Sequence, residues 1–130
     1  MKFLLDTNAV IALLKGNPAF HGRLRQHDPQ DLGLSVVVAY ELYFGAFRSR
    51  RQEANLARVD ALRFEIIDFT ANDARAAGLV RAELAAAGTP IGPYDTLIAA
   101  QALSRDLALV THNSREFSRI GRLKIEDWES

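Results

Sequence analysis

Short apolar runs that end in polar or acidic residues alternate along this chain with longer segments of helical period, and that alternation constrains the fold more than any other feature. Lys2 to Leu5 is the first such run; it stops at Asp6-Thr7-Asn8, and Ala9 to Lys15 then reads as helix up to Gly16-Asn17-Pro18. Ala19 to His27 reads as a second helix, Asp28 to Asp31 as a loop and Leu32 to Ser35 as a second strand. Val36 to Phe47 is apolar almost all round, which predicts a buried helix, and Gln52 to Leu62 predicts an amphipathic one. Phe64 to Phe69 has strand character. Thr70 and Asp73 then open an Ala-rich helix that ends at Gly88, followed by a loop from Thr89 to Pro93. Asp95 to Ser104 is helical in period, Leu107 to Thr111 is a continuous apolar strand, and Lys124 to Trp128 is a short further strand. Strands interleaved with helices predict an α/β fold of three layers, α/β/α, around a mostly parallel central sheet. With 130 residues, of which 48% are hydrophobic, the chain is expected to form one domain over residues 1–130.

Composition excludes some chemistries and leaves others open. Cysteine is absent, so any metal must be held by oxygen or imidazole, and nothing calls for an oxidising compartment. The opening Met1-Lys2-Phe3-Leu4-Leu5 is interrupted by Asp6, Thr7 and Asn8 before it resembles a leader, and no apolar stretch is long enough to span a bilayer. A cytoplasmic protein without membrane association is the expectation. The formal net charge of zero does not announce a nucleic-acid binder. The 16 basic residues are lopsided, however, with thirteen Arg and three Lys, and Arg is the better bidentate partner for phosphate. Arg48, Arg50 and Arg51 form a basic patch that either contacts RNA or is a solvated helix end.

Ligands of open α/β sheets bind beyond the carboxyl ends of the strands. Here those ends carry Asp6-Thr7-Asn8, Ser35 and Thr111-His112-Asn113, side-chain oxygens of the kind that a hard cation or a phosphate requires. Each residue also has a structural reading. Asp6 can cap the helix near Ala9, with Thr7 or Asn8 sharing that task. Asp95, after Gly92-Pro93-Tyr94, can be a first-turn acid that favours its own helix N-terminus. Glu41 is the most informative residue, because it places a carboxylate inside an otherwise apolar helix, where a charge needs a partner. If Asp6, Glu41 and Asp95 converge, they require compensation: two carboxylates about 4 Å apart repel by about 4 kcal/mol at an effective dielectric constant of about 20. An oxygen-only donor set favours Mg²⁺, or Mn²⁺, over structural zinc. His21, His27 and His112 lack zinc-ligand spacing, and none is assigned as a ligand.

These segments together resemble the PIN-domain family, in particular its VapC-type toxins. The resemblance rests on Leu5-Asp6-Thr7-Asn8, on Ser35 to Leu42 with Gly45, and on Ile91-Gly92-Pro93-Tyr94-Asp95 with Leu97 to Ala100. Val110 to Phe117, followed by Ile120, Gly121, Leu123 and Asp127-Trp128, extends it over essentially the whole chain. It implies that Asp6, Glu41 and Asp95 form an acidic metal-binding core supported by Thr7 or Asn8, with Ser35 and Thr111 as donors that orient it. Where many PIN domains place a fourth acid, this chain has Asn113, with Glu116 just beyond; either completes the site, unless Glu116 only pairs with Arg119 on the surface. The resemblance further implies Mg²⁺-dependent cleavage of an RNA of the translation machinery, a tRNA or rRNA. It also implies a cognate VapB-like antitoxin and a homodimer. Two other classes stand beside it: a non-catalytic α/β module whose acids cap helices and whose Arg-rich surface binds RNA or protein, and a phosphoacceptor receiver domain. The receiver reading wants an early acidic pair and a late-strand Lys, and Lys124 is the sole late lysine.

Overall fold

The computed structural model describes all residues 1–130. Five strands, β1 (Phe3–Leu5), β2 (Leu32–Ser35), β3 (Glu65–Ile67), β4 (Ala108–Val110) and β5 (Ile125–Glu126), form one sheet in the order β3-β2-β1-β4-β5. Every neighbouring pair is parallel, so the expected mostly parallel sheet is wholly so. Seven helices accompany it: α1 (Thr7–Leu14), α2 (Pro18–Leu24), α3 (Val36–Arg48), α4 (Gln52–Asp60), α5 (Ala71–Ala86), α6 (Pro93–Ser104) and α7 (Ser114–Phe117).

Burial follows strand position. The central β1 is buried throughout, whereas the edge strand β3 is largely exposed, with Ile66 49% accessible. Leu4, Leu5, Leu34, Leu109 and Val110 meet Val10, Val38, Ile98 and Phe117 in the core. Local signals set the helix ends. Pro18 occupies the first turn of α2 behind the cap Asn17. Thr70 and Asp73 form a reciprocal capping box on α5, and Gly88, at φ +71°, follows that helix as expected.

One expectation fails, and one element was not foreseen. The helix α3 is not buried all round: Val38, Ala39, Leu42 and Ala46 face the core, while Val36, Tyr40, Phe44 and Phe47 are 41–58% exposed on the outside. An all-apolar helix is buried only if something covers every side, and within this chain nothing covers that stripe. The residues after Asn113 form the short α7, which the periodicity did not predict because four residues make barely one turn.

Candidate active site

An all-parallel sheet puts every strand's carboxyl end on one edge, and the site grows from that edge. Asp6 follows β1 directly and its backbone N–H donates to Val110 O at 3.1 Å, which fixes it between β1 and β4. Its side chain is 3% exposed. One carboxylate oxygen accepts from Ala9 N at 2.8 Å, so Asp6 is the cap of α1, and the neighbouring Thr111 hydroxyl favours its charged form. The capping reading holds, and it leaves Asp6 at the strand end where the site reading puts it. Because Asp6 takes the cap, α1 starts at Thr7 and not near Ala9, leaving the Thr7 hydroxyl free to donate to Glu41 Oε1 at 2.7 Å.

Ser35 ends β2 and α3 begins at once, which brings Glu41, in the second turn and half-buried, back over the edge. Asp95 lies in the first turn of α6, behind Gly92 and Pro93. Glu116, on α7, accepts from Asn113 Nδ2 at 2.5 Å and, weakly, from Gly92 N at 3.4 Å. Asn113 and Glu116 are thus not alternatives: the amide holds the acid against the start of α6. Arg119 donates to Pro90 O instead, so the alternative of a surface pair with Glu116 does not form.

The charges of the other three acids all act on Asp95. Burial, followed by the charges of Glu116, Asp6 and Glu41, raises the Asp95 carboxyl to about 6. Burial likewise raises Asp6 to about 6, opposed by the Thr111 and Ala9 hydrogen bonds and reinforced by the charges of Glu129 and Glu41. No Lys or Arg forms an ion pair with Asp6, Glu41, Asp95 or Glu116. Such a set of oxygen donors lacking cationic partners fits a hard divalent ion.

Two expected supporting roles need correction. Asn8 is exposed and hydrogen-bonds to none of the acids, because its place in the first turn of α1 turns it to solvent. Ser35 is fully buried, but its hydroxyl accepts from Val37 N at 3.1 Å and caps α3, so it positions Glu41 through the helix and not as a donor to a carboxylate. Arg48, Arg50 and Arg51 sit at the end of α3 remote from Ser35, with Arg48 5.3 Å from the Phe44 ring centroid. That placement agrees with a solvated helix end.

Sequence reasoning missed Glu129, whose charge reaches Asp6, and a trio formed by His112, Asp127 and Glu129. One ligand atom from each member of this trio lies within 4.8 Å of the others; Asp6, Glu41, Asp95 and Glu116 do not gather as closely. The available signal was the Asp127-Trp128-Glu129 alternation, in which a large apolar residue separates two acids.

A PIN domain profile matches residues 3–123. The tRNA(fMet)-specific endonuclease VapC of Shigella flexneri is 42% identical over 130 residues, covering 98% of each chain. The ribonuclease VapC2 of Haemophilus influenzae is 39% identical over 131 residues, again covering 98% of both. Among solved structures, the DNA-bound VapBC of Salmonella typhimurium aligns with a TM-score of 0.93 at 42% identity over 98% of each chain.

Proposed function

Since this chain belongs to the PIN-domain family and, within it, to the VapC ribonucleases, we propose that it is the Mg²⁺-dependent endoribonuclease toxin of a VapBC-type pair. One observation carries the reading: four carboxylates share the sheet's functional edge without a cationic partner, and two of them are raised to about 6. Asp6 and Asp95 would hold the ion, Mg²⁺ or Mn²⁺, with Glu41 and Glu116 as direct or water-mediated partners. When bound, such an ion supplies Lewis acidity, activating a water and offsetting charge on phosphate and leaving oxygen. The protein's own part is orientation. Thr7 aims Glu41, Thr111 holds Asp6, and Asn113 holds Glu116, so the carboxylates keep their places while a phosphodiester is cut. No protein nucleophile is required.

The substrate is RNA of the translation machinery, and initiator tRNA is the first to test, because the relative from Shigella flexneri carries that specificity in its name. The partner is a VapB-like antitoxin, as in the VapBC complexes that this fold matches, and a basic antitoxin side chain entering the acidic edge would compensate the carboxylates as metal does. The exposed stripe of Val36, Tyr40, Phe44 and Phe47, continued by Tyr94, supports a homodimer. No helix is long and apolar enough to cross a membrane, and a cytoplasmic location suits an RNA substrate.

The test uses the purified, antitoxin-free full chain with initiator tRNA and total RNA, in Mg²⁺ or excess EDTA. Cleavage in Mg²⁺ is expected to fall at least about a hundredfold in Asp6→Asn and Asp95→Asn, since disturbing groups that merely orient metal ligands already costs about 10–100-fold. A folded, metal-loaded protein that cuts no RNA would instead favour the non-catalytic binding module.

A further inference from the structure

We propose that His112, Asp127 and Glu129 form a second divalent-cation site, distinct from the four acids, that takes a borderline transition ion such as Zn²⁺ or Co²⁺ in preference to Mg²⁺. The site is built by adjacent strands. The parallel register sets Val110 beside Glu126, and Thr111 N donates to Glu126 O at 2.9 Å, so the residues leaving the two strands, His112 and Asp127, emerge side by side.

Trp128 then anchors the C-terminal residues. Its indole is fully buried, stacked on His27 with ring centroids 4.9 Å apart, edge-on to Phe3 at 5.2 Å, and donates from Nε1 to Glu126 Oε1 at 2.9 Å. With residue 128 buried, residues 127 and 129 on either side of it stay partly exposed, each with a carboxylate oxygen within 4.8 Å of the other and of a His112 ring nitrogen. The Asp127 carboxylate is further oriented by His112 Nδ1 at 3.0 Å, Glu129 N at 2.9 Å and the Ser130 hydroxyl at 3.0 Å.

Glu129 has no structural task in this arrangement. A His–Asp pair is complete without it, no Lys or Arg pairs with it, and its negative charge acts on Asp6. A cation resolves that repulsion. Bonds of about 2.0–2.1 Å around a tetrahedral ion separate ligand atoms by about 3.4 Å. The three atoms here, all within 4.8 Å, reach that spacing through side-chain adjustment of partly exposed groups. The donor chemistry separates this site from its neighbour: imidazole with two carboxylates suits zinc, cobalt or nickel, whereas an all-oxygen set suits Mg²⁺. Because Thr111 touches Asp6 and His112 comes next in the chain, an ion held here would also reduce the negative charge that the acidic edge must accommodate.

The experiment reads binding and not cleavage, so it stands apart from the nuclease assignment. Full-length protein in a large excess of Mg²⁺ is titrated with Co²⁺, followed by its visible absorption, and with Zn²⁺ by calorimetry. Saturable binding that survives the Mg²⁺ is expected, weakened at least about tenfold by His112→Ala and by Glu129→Gln and unchanged by Asp95→Asn. Near-ultraviolet circular dichroism of Trp128 reports that each variant is folded. Three results would overturn the proposal: no Co²⁺ or Zn²⁺ binding in excess Mg²⁺, binding indifferent to both variants, or binding lost in Asp95→Asn.

Discussion

Asp73 and Asp6 are both almost completely buried, 1% and 3% exposed, and each caps a helix, yet their carboxyls move in opposite directions. Asp73 is covered but less deeply enclosed than Asp6, so the upward push of burial is overcome by its donors: Thr70 N at 2.9 Å, Arg105 at 3.1 Å, Ser104 at 2.8 Å and Gln101 at 3.0 Å bring it to about 2. Asp6 has Ala9 and Thr111 as donors and looks onto Glu41 and Glu129, so burial wins and it rises to about 6. Burial of a charge alone therefore singles out no site; burial without compensation makes a candidate for one. Asp73 ties α5 to α6 and holds the helix that carries Asp95, whereas the charge of Asp6 is left without a cationic partner.

The largest effect that would break this contrast is on the structural side. Asp73→Ala removes an acceptor from four donors, leaving Arg105 and Gln101 only Asp68 O, and about 2–4 kcal/mol of stability should be lost in urea denaturation. A loss below about 1 kcal/mol would make Asp73 equivalent to a surface pair. Next comes Asp6→Asn, which keeps the cap, since Asn caps as well as Asp. Raising the folded carboxyl from 3.8 to about 6 means that the native protein binds more protons between those values, so metal-free stability should fall as pH rises from about 4 to about 6. The Asn variant should lose part of that slope and be more stable than the parent at pH 7.5 by about 2–3 kcal/mol, seen as a higher Tm in EDTA. An unchanged pH profile would mean that Asp6 is compensated after all. Smallest is Glu116→Gln: it removes the largest charge acting on Asp95, and the Asp95 titration followed by carbon NMR should move down by less than about one pH unit. No movement would detach Glu116 from the cluster.

Much of this was legible beforehand, for definable reasons. The strands Leu32–Ser35 and Ala108–Val110 and the helix from Thr70 to Gly88 were readable because apolar runs, caps and a C-terminal glycine act within a few residues. Asp6 and Glu41 stood out because carboxylates at the end of an apolar run and inside an apolar helix are locally anomalous. Asp95 did not stand out by physics, since a first-turn acid is ordinary; it entered through the resemblance of Gly92-Pro93-Tyr94-Asp95, and only the fold shows the burial and the charges that raise its carboxyl. The sequence was misleading at α3, where apolarity does not reveal whether the surface it covers lies inside the chain or against another molecule.

Local order, the parallel α/β class and the edge on which chemistry must occur were determined by the amino-acid sequence alone, through periodicity and capping that extend over a turn or two. Tertiary structure alone decided which charges meet. Strand order β3-β2-β1-β4-β5 places Thr111 beside Asp6 and His112 beside Asp127, and the packing of α6 against this edge brings Asp95 within reach of Glu116. Coulomb energy and desolvation depend on distances through space, and no pattern of neighbours along the chain encodes those distances.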